Sequence, residues 1–166
     1  MTTRLWIVDG HNVIFALPDL HRLQIADQGD AARRDLVDRL RRFAQERHEK
    51  VLVVFDGGTM LSNPEAVEEP LLEVVFARRG EGEADDRILH EARRRLEEGL
   101  LVTVVTRDLR TLAWDLPKGV RHLEVRDFWR KHVKPPEKAA VKRVAGDFSE
   151  VEETLAALGA VAEPGP

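Results

Sequence analysis

The chain has 166 residues, of which 43% are hydrophobic. This is enough for one domain with a sizeable core, which excludes a disordered chain and a small disulfide-stapled scaffold. The absence of cysteine excludes disulfides, thiolate-bound metal centres and thiol nucleophiles. The formal net charge of −4 excludes a uniformly basic coat for nucleic acid, so any polyanion must bind to a local patch.

Apolar runs and helical spacings predict strands that alternate with helices. In chain order we expect a buried strand at 5–8, a helix at 30–48 capped by Asp30, a buried strand at 51–55, a loop at 60–70 and an edge strand at 71–77. There follow a helix at 83–98 ended by Gly99, a buried strand at 100–105, a short helix at 109–114, a strand at the other edge at 120–125, and a helix at 148–158 before a frayed tail. This alternation predicts an α/β fold with a mostly parallel sheet. Because the first apolar run is too short for a signal peptide or a membrane span, we expect a cytoplasmic protein without membrane contact.

Aspartates follow three of the predicted strands, and two more open a predicted helix. Asp9 and Asp56 end the first two apolar runs, Asp108 comes just after the third, and Asp85 and Asp86 stand together at the start of the second helix. Ligands of open parallel sheets bind beyond the carboxyl ends of the strands. If these strands are adjacent, the five carboxylates are therefore expected to converge on one edge of the sheet.

Each of these acids also has an ordinary structural interpretation. Asp56 fits a turn, Asp85 and Asp86 suit the first turn of a helix, and Asp108 is a plausible helix cap. Asp9 is harder to explain in this way, because a capping role is uncommon at the end of a buried strand. All of them together are difficult to attribute to chance, so we interpret the group as a site.

Several carboxylates brought close together repel each other unless some are protonated or a cation lies among them. Carboxylate oxygens without clustered imidazoles or thiolates favour Mg²⁺ or Mn²⁺. Such a site supports hydrolysis of phosphate esters.

Four segments resemble the YacP-like branch of the NYN domains, relatives of the PIN nucleases. They are Ile7–Ile14, Val54–Gly57, Glu83–Ile88 and Val104–Asp108, in the order of that family, and the likeness covers about residues 4–130. The resemblance implies a PIN-like three-layer α/β fold, with helices on both faces of the sheet, in a nuclease domain at 1–132. Residues 133–166 would then form a basic, helical C-terminal extension. Departures from the family pattern are His11 in place of tyrosine, and Glu83 and Arg107 in place of small residues.

The resemblance also implies a metal-dependent ribonuclease that acts as an endonuclease in RNA processing or decay, with four catalytic residues: Asp9, Asn12, Asp85 and Asp108. We expect Asp9 and Asp85 to bind Mg²⁺ or Mn²⁺, with Asp108 and Asp86 as further ligands and Asp56 either as a ligand or as a turn residue. Asn12 would orient Asp9 or bind a phosphate, and Thr106 would hydrogen-bond a carboxylate or phosphate. His11 is not assigned a catalytic role, because metal-dependent hydrolysis needs no histidine base.

Basic residues near the end of the chain are candidates for RNA binding. The predicted contacts are Arg107, Arg130, Lys131, Lys134 and Lys138. Phe128 and Trp129 lie among them and either stack on a base or anchor the segment to the core. The arginines of the first long helix are interleaved with acids, which favours a salt-bridged solvent face.

A second function from another class stays open: a non-catalytic RNA- or ribosome-binding module with the same fold. RNA is the expected partner, and ribosome association and oligomeric state are not predicted. No nucleotide cofactor is expected, since neither a Gly-x-Gly-x-x-Gly segment nor a P-loop is present. A haloacid-dehalogenase-type phosphatase is disfavoured because His11 stands where it needs a second aspartate.

Overall fold

The computed structural model describes residues 2–57, 66–77, 84–107, 110 and 112–133. These residues form strands β1 (Arg4–Asp9), β2 (Lys50–Asp56), β3 (Val67–Glu68), β4 (Leu72–Ala77), β5 (Leu101–Thr106) and β6 (Arg121–Glu124). The helices are α1 (Gly10–Ala16), α2 (Pro18–Ile25), α3 (Gly29–Arg47), α4 (Ala84–Glu97), α5 (Leu112–Asp115) and α6 (Val125–Phe128), and a π-helical turn follows at Trp129–Val133.

The strands form one sheet in the order β3-β4-β2-β1-β5-β6. Every neighbouring pair is parallel except β3 and β4. The chain passes from β1 to β2 on one side of β1 and later returns to β5 on its other side. The end of β1 is therefore a topological switch point, where the connections leave a crevice at the carboxyl edge of the sheet.

Alternate residues of the central strands pack against helices on opposite faces of the sheet. Trp6 and Val8 of β1 belong to a core that includes residues of α1, α2, α3 and α6. Leu5 and Ile7, from the same strand, belong to a second core with residues of α4 and α5. The predicted α/β architecture with a mostly parallel sheet between two helical layers is thus confirmed.

The predicted strands and the two long helices appear within a few residues of their expected positions. Three short helices, α1, α2 and α6, were not predicted. The segment expected to be a loop at 60–70 contains β3, which pairs with β4, so β4 is not the edge strand it was predicted to be. Asp30 does not cap α3, because the helix starts one residue earlier and Asp30 instead pairs with Arg33 in its first turn.

Val133 is the last described residue, and it also ends the first of two units into which the chain divides, Met1–Val133 and Lys134–Pro166. The extension predicted at 133–166, with its helix at 148–158, otherwise lies outside the described residues. Within the described part of the chain, no helix is long and apolar enough to cross a membrane.

Candidate active site

The carboxyl ends of the parallel strands carry the polar side chains that the sequence singled out. Asp9 is the last residue of β1, Asp56 the last of β2 and Thr106 the last of β5. Asp9 is paired in register with Val54, two residues before Asp56. The predicted acids at the ends of β1 and β2 therefore lie at the same edge of neighbouring strands. We call this edge the acidic rim, defined by Asp9, Asp56 and Asp85.

Asp9 is a buried carboxylate, with only 5% of its surface exposed. Its Oδ1 accepts a hydrogen bond from the backbone N–H of Asn12 at 3.2 Å, and its Oδ2 accepts one from Asn12 Nδ2 at 2.8 Å. Burial raises the pKa of Asp9 to about 6; the charges of Asp85 and Asp56 also raise it, whereas the hydrogen bonds from Asn12 lower it. An acid held out of water beside like charges is typical of a functional site.

Asn12 links the ends of β1 and β5. Besides its bond to Asp9, Asn12 Nδ2 donates to Thr106 Oγ1 at 3.0 Å. Thr106 is fully buried. Both amide hydrogens of Asn12 are thus used within the protein, which favours its predicted role in orienting Asp9 over that of binding a phosphate.

Gly10 permits the close approach that joins β1 to β2 at the rim. A Cβ atom at this position would lie 2.3 Å from the ring of Phe55, closer than any real contact. The next residue, His11, packs edge-on against the same ring, with centroids 5.5 Å apart. Its Nδ1 accepts a hydrogen bond from the backbone N–H of Asp56 at 3.2 Å. Burial lowers the pKa of His11, Asp56 opposes this and Arg33 adds to it, so His11 is neutral at neutral pH.

Asp56 connects the rim to the start of α4. Its Oδ1 accepts a hydrogen bond from the backbone N–H of Ala84 at 3.0 Å. Asp85, the next residue, is half-buried and its charge acts on Asp9. Asp86 is exposed, and the charges that raise the pKa of Asp9 are those of Asp85 and Asp56 rather than its own.

The donor set at the rim suits a hard divalent cation. Asp9 and Asp85 supply carboxylate oxygens, and a cation between them would relieve the repulsion that raises the pKa of Asp9. In the described part of the chain, no three His, Asp or Glu side chains are arranged to hold a metal ion. Mg²⁺ commonly uses only one or two protein carboxylates and fills its other positions with water and phosphate, so two carboxylates are sufficient.

A capping role was considered uncommon for Asp9, but the structure shows that it has one. It is the N-cap of α1, which starts directly at the end of β1. The helix can begin there because Gly10 fits against Phe55 and lets the chain turn without a connecting loop. One side chain thus ends a strand, caps a helix and lies beside Asp85.

The predicted RNA-binding residues fall into three groups. Arg107 is exposed directly after Thr106, at the same edge of the sheet as Asp9. Arg130 and Lys131 are exposed on the π-helical turn. His132 of the same turn packs against Trp6, with ring centroids 5.0 Å apart, and Trp6 precedes Asp9 by three residues in β1. That places the turn toward the opposite edge of the sheet, about 10 Å along the strand from the acids. Lys134 and Lys138, like the predicted catalytic residue Asp108, lie outside the described residues.

Phe128 and Trp129 anchor the chain and do not present their rings for stacking. Phe128 is fully buried, and Trp129 is 9% exposed. Phe128 packs against Trp6 and Phe43, with centroids 5.1 and 5.4 Å apart. The guanidinium of Arg39 lies 5.8 Å from the centroid of Trp129. Of the two interpretations left open for this aromatic pair, the structure supports anchoring.

Two charged residues at the rim were missed by the sequence analysis. Arg33, in the first turn of α3, lowers the pKa of His11 and therefore brings positive charge to the acidic rim. Glu124 ends β6 opposite Thr106 and caps α6 through the backbone N–H groups of Arg126 and Asp127. Glu124 could have been found in the sequence from its position at the end of a predicted strand. Arg33 could not, because its place in the helix pattern indicated only a solvent-exposed face.

Comparison with known proteins supports the fold. A family model described as the YacP-like NYN domain matches residues 6–156. A crystal structure of a tryptophan-to-leucine mutant of Rae1 (YacP) from Bacillus subtilis is similar with a TM-score of 0.68 and 28% identity, over 92% of this chain and 91% of that one. A second Rae1 (YacP) structure from Bacillus subtilis gives a TM-score of 0.68 and 26% identity, over 95% and 88% of the two chains.

A mutant of T5 5′-exonuclease is also similar, with a TM-score of 0.45 and 17% identity over 78% of this chain and 56% of that one, which is too remote to carry an argument. No curated protein matches the chain. The two Rae1 structures confirm the PIN-like fold predicted from the sequence motifs.

Proposed function

Because this chain belongs to the YacP-like NYN domain family, a nuclease-type fold, we propose that it is a Mg²⁺- or Mn²⁺-dependent ribonuclease. It would hydrolyse RNA phosphodiester bonds as an endonuclease, in RNA processing or mRNA decay. The observation that carries this proposal is the buried carboxylate of Asp9, whose pKa is raised to about 6 by burial and by the charges of Asp85 and Asp56. Such an arrangement is costly to the fold and is explained by a cationic ligand.

The proposed roles follow from the contacts at the rim. Asp9 and Asp85 hold the cation, with Asp108 and Asp86 as further candidate ligands. Asn12 fixes the orientation of the Asp9 carboxylate through two hydrogen bonds. When bound, the cation stabilises the negative charge that develops on the phosphate oxygens.

The substrate-binding part of the proposal concerns positive charge around the rim. Arg107 is the exposed cation next to Thr106, and it is our first candidate for contact with the RNA backbone. Arg130, Lys131, Lys134 and Lys138 would contact more distant parts of a long RNA. Ribosome association is compatible with such an extended surface, but the proposed activity does not depend on it.

A non-catalytic RNA- or ribosome-binding module is the second candidate. One observation favours it: Asp9 and Asp56 both accept backbone hydrogen bonds at helix starts, so a structural role alone would require these acids. Burial of Asp9 beside Asp85 is not needed for capping, which is why the enzyme is preferred.

A cleavage assay separates the two candidates. The full chain is incubated with a long end-labelled RNA and, in parallel, with DNA of the same sequence, in Mn²⁺, in Mg²⁺ and in EDTA. The enzyme predicts internal cuts in the RNA that disappear in EDTA and in the variant Asp9→Asn, which keeps a capping side chain. RNA binding without any cleavage, unchanged by Asp9→Asn, would instead support the binding module.

A further inference from the structure

Asp56 joins three elements of the structure at one point. It ends β2; its backbone N–H donates to His11 Nδ1 in α1 at 3.2 Å, and its Oδ1 accepts from the N–H of Ala84 in α4 at 3.0 Å. Its second oxygen, Oδ2, lies 3.4 Å from the same His11 nitrogen. Oδ1 is therefore engaged at the start of α4, whereas the neutral His11 donates no proton from Nδ1 to Oδ2.

The bond to Ala84 is an unusual helix cap, because it comes from a residue 28 positions earlier in the chain. An ordinary cap belongs to the residue just before the helix and fixes only the local chain. Here the cap belongs to a strand of the sheet, so it fixes the start of α4 relative to β2. Ala84 and Ile88, only 4% and 0% exposed, pack the same end of the helix on the sheet.

The position of Asp85 follows from this contact, since it is the residue directly after Ala84. Its carboxylate and that of Asp56 both raise the pKa of Asp9, and Asp85 contributes more. The side chain of Asp56 is 57% exposed, so water screens its charge, whereas Asp85 is partly buried.

We infer that Asp56 is a positioning residue: it holds the start of α4, and thereby Asp85, against Asp9, and it does not itself bind the cation. This inference rests on the proposed function for its metal-binding part. It replaces both sequence-based interpretations of Asp56, as a metal ligand and as a residue that only shapes a turn. His11 takes part by holding the backbone of Asp56, and α1 and α4 are thus tied to one residue of β2.

Two substitutions at the same position separate a cap from a ligand. Asp56→Asn keeps an oxygen that can accept from Ala84 but loses the negative charge, and asparagine is as good a helix cap as aspartate. Asp56→Ala loses both the acceptor and the charge. A Val74→Ala variant, in the buried part of β4, lowers stability without touching the rim and serves as the control.

The measurements are calorimetric titration with Mn²⁺ alone and hydrogen exchange at the Ala84 amide, both on the full chain. We expect Asp56→Asn to keep the protection of Ala84 and to bind Mn²⁺ within about threefold of the original protein. Asp56→Ala should lose that protection and bind Mn²⁺ about 10- to 100-fold more weakly, as found when residues that orient metal ligands are removed. Val74→Ala should leave Mn²⁺ binding unchanged.

Equal weakening of Mn²⁺ binding by Asp56→Asn and Asp56→Ala would overturn the inference and make Asp56 a ligand. Unchanged binding in a folded Asp56→Ala variant would overturn it as well. If the original protein binds no Mn²⁺, the proposed function fails, and hydrogen exchange decides the rest: unaltered protection of Ala84 in Asp56→Ala refutes the positioning role, and lost protection supports it.

Discussion

At the scale of single residues, Asp9 combines two properties that oppose each other. Its carboxylate caps α1, which stabilises the fold, yet it is 5% exposed beside other acids, which destabilises its charged form. A residue that served only as a cap would gain nothing from this burial. The cost is explained if the charge is needed to hold a cation.

In the metal-free protein, the energetic cost of burying the charged Asp9 carboxylate should depend on pH. The pKa of Asp9 is about 6 in the folded chain, against an ordinary value of 3.8, so the folded state binds the proton more tightly. Raising the pH from 3.8 to 6 should therefore reduce the free energy of unfolding by about 2 kcal/mol through this residue. Asp9→Asn lacks the titration and keeps the cap. In EDTA it should gain about that much stability relative to the original protein between pH 4 and pH 7.5, as measured by urea unfolding.

A gain that is the same at both pH values would contradict this account of Asp9. Comparing the two proteins at each pH cancels the titration of all the other carboxylates. Asp115→Asn, at an exposed aspartate of α5, is the matched control for the loss of a carboxylate.

The residues of the rim were found in the sequence because parallel strands align their carboxyl ends. Asp9 and Asp56 follow apolar runs directly, and this alone predicts that they lie at one edge of the sheet. The bond from Asp56 to Ala84 could not be predicted, because it joins residues 28 apart whose contact depends on how α4 packs. Asp85 was recognised from its motif, but the reason for its position is this tertiary contact.

At the scale of elements, α4 carries a buried ionic cluster on its side away from the rim. Glu91, 3% exposed, accepts from Arg94 at 2.8 Å and from Arg95 at 3.4 Å, and Arg95 also reaches Glu73 of β4. Burial by itself would raise the pKa of Glu91, but these arginines hold it below its usual range. The cluster ties α4 to the sheet at a point distant from Asp85.

We predict that Glu91→Ala lowers the free energy of unfolding by about 3 kcal/mol, because it leaves the buried guanidinium of Arg95 with fewer partners. Glu98→Ala, just after the end of the same helix and with a side chain 46% exposed, should cost less than about 1 kcal/mol. Denaturant unfolding of both variants measures the difference. Equal effects would show that the buried cluster does not hold α4 on the sheet.

The C-terminal end of the described chain is anchored by Trp129. Trp129→Ala should cost about 3 kcal/mol of folding free energy, because the side chain is 9% exposed in the core. Trp114→Ala is the matched control, since Trp114 is 87% exposed on α5, and it should change stability by less than about 0.5 kcal/mol. Thermal unfolding compares the two. A Trp129→Ala variant of full stability but weaker RNA binding would contradict the anchoring role.

The elements that were predicted and those that were missed differ in what stabilises them. Strands β1, β2 and β5 are continuous apolar runs buried on both faces, a pattern that is visible in the sequence. Helices α1 and α2 have only seven and eight residues, too few to show a clear helical period. Such short helices are stable only through tertiary packing, here of Val13, Ile14 and Leu20 on the sheet. Their existence therefore depends on the fold they help to build.

At the scale of the whole molecule, the acids of the rim and two of the predicted RNA contacts lie toward different ends of the sheet. The acids are at the carboxyl edge, whereas Arg130 and Lys131 lie on a turn that packs toward the other edge through His132 and Trp6. The basic segment was identified in the sequence, but its distance from the acids was not, because that depends on the direction in which the chain leaves β6. Among the predicted RNA contacts that the structure describes, Arg107 lies at the same edge as Asp9.

This arrangement predicts unequal effects of two otherwise similar substitutions. Arg107→Gln should weaken the binding of a short RNA several-fold, because it removes an exposed cation next to the rim. Lys131→Gln should have little effect on the short RNA and a larger one on a long RNA that reaches the far edge. Fluorescence anisotropy with RNAs of two lengths, in Ca²⁺ to prevent cleavage, makes the comparison. Equal effects on the short RNA would show that it does not bind across the rim.

The central claim is that Asp9 is kept as a buried charge in order to bind a divalent cation. The most direct test is to follow the carboxyl carbon of Asp9 by NMR as a function of pH, with and without Mg²⁺, using Asp9→Asn to assign the signal. The account predicts a pKa of about 6 without the metal, and a clear fall when Mg²⁺ is added. An ordinary pKa near 3.8, or a raised one that Mg²⁺ leaves unchanged, would contradict it.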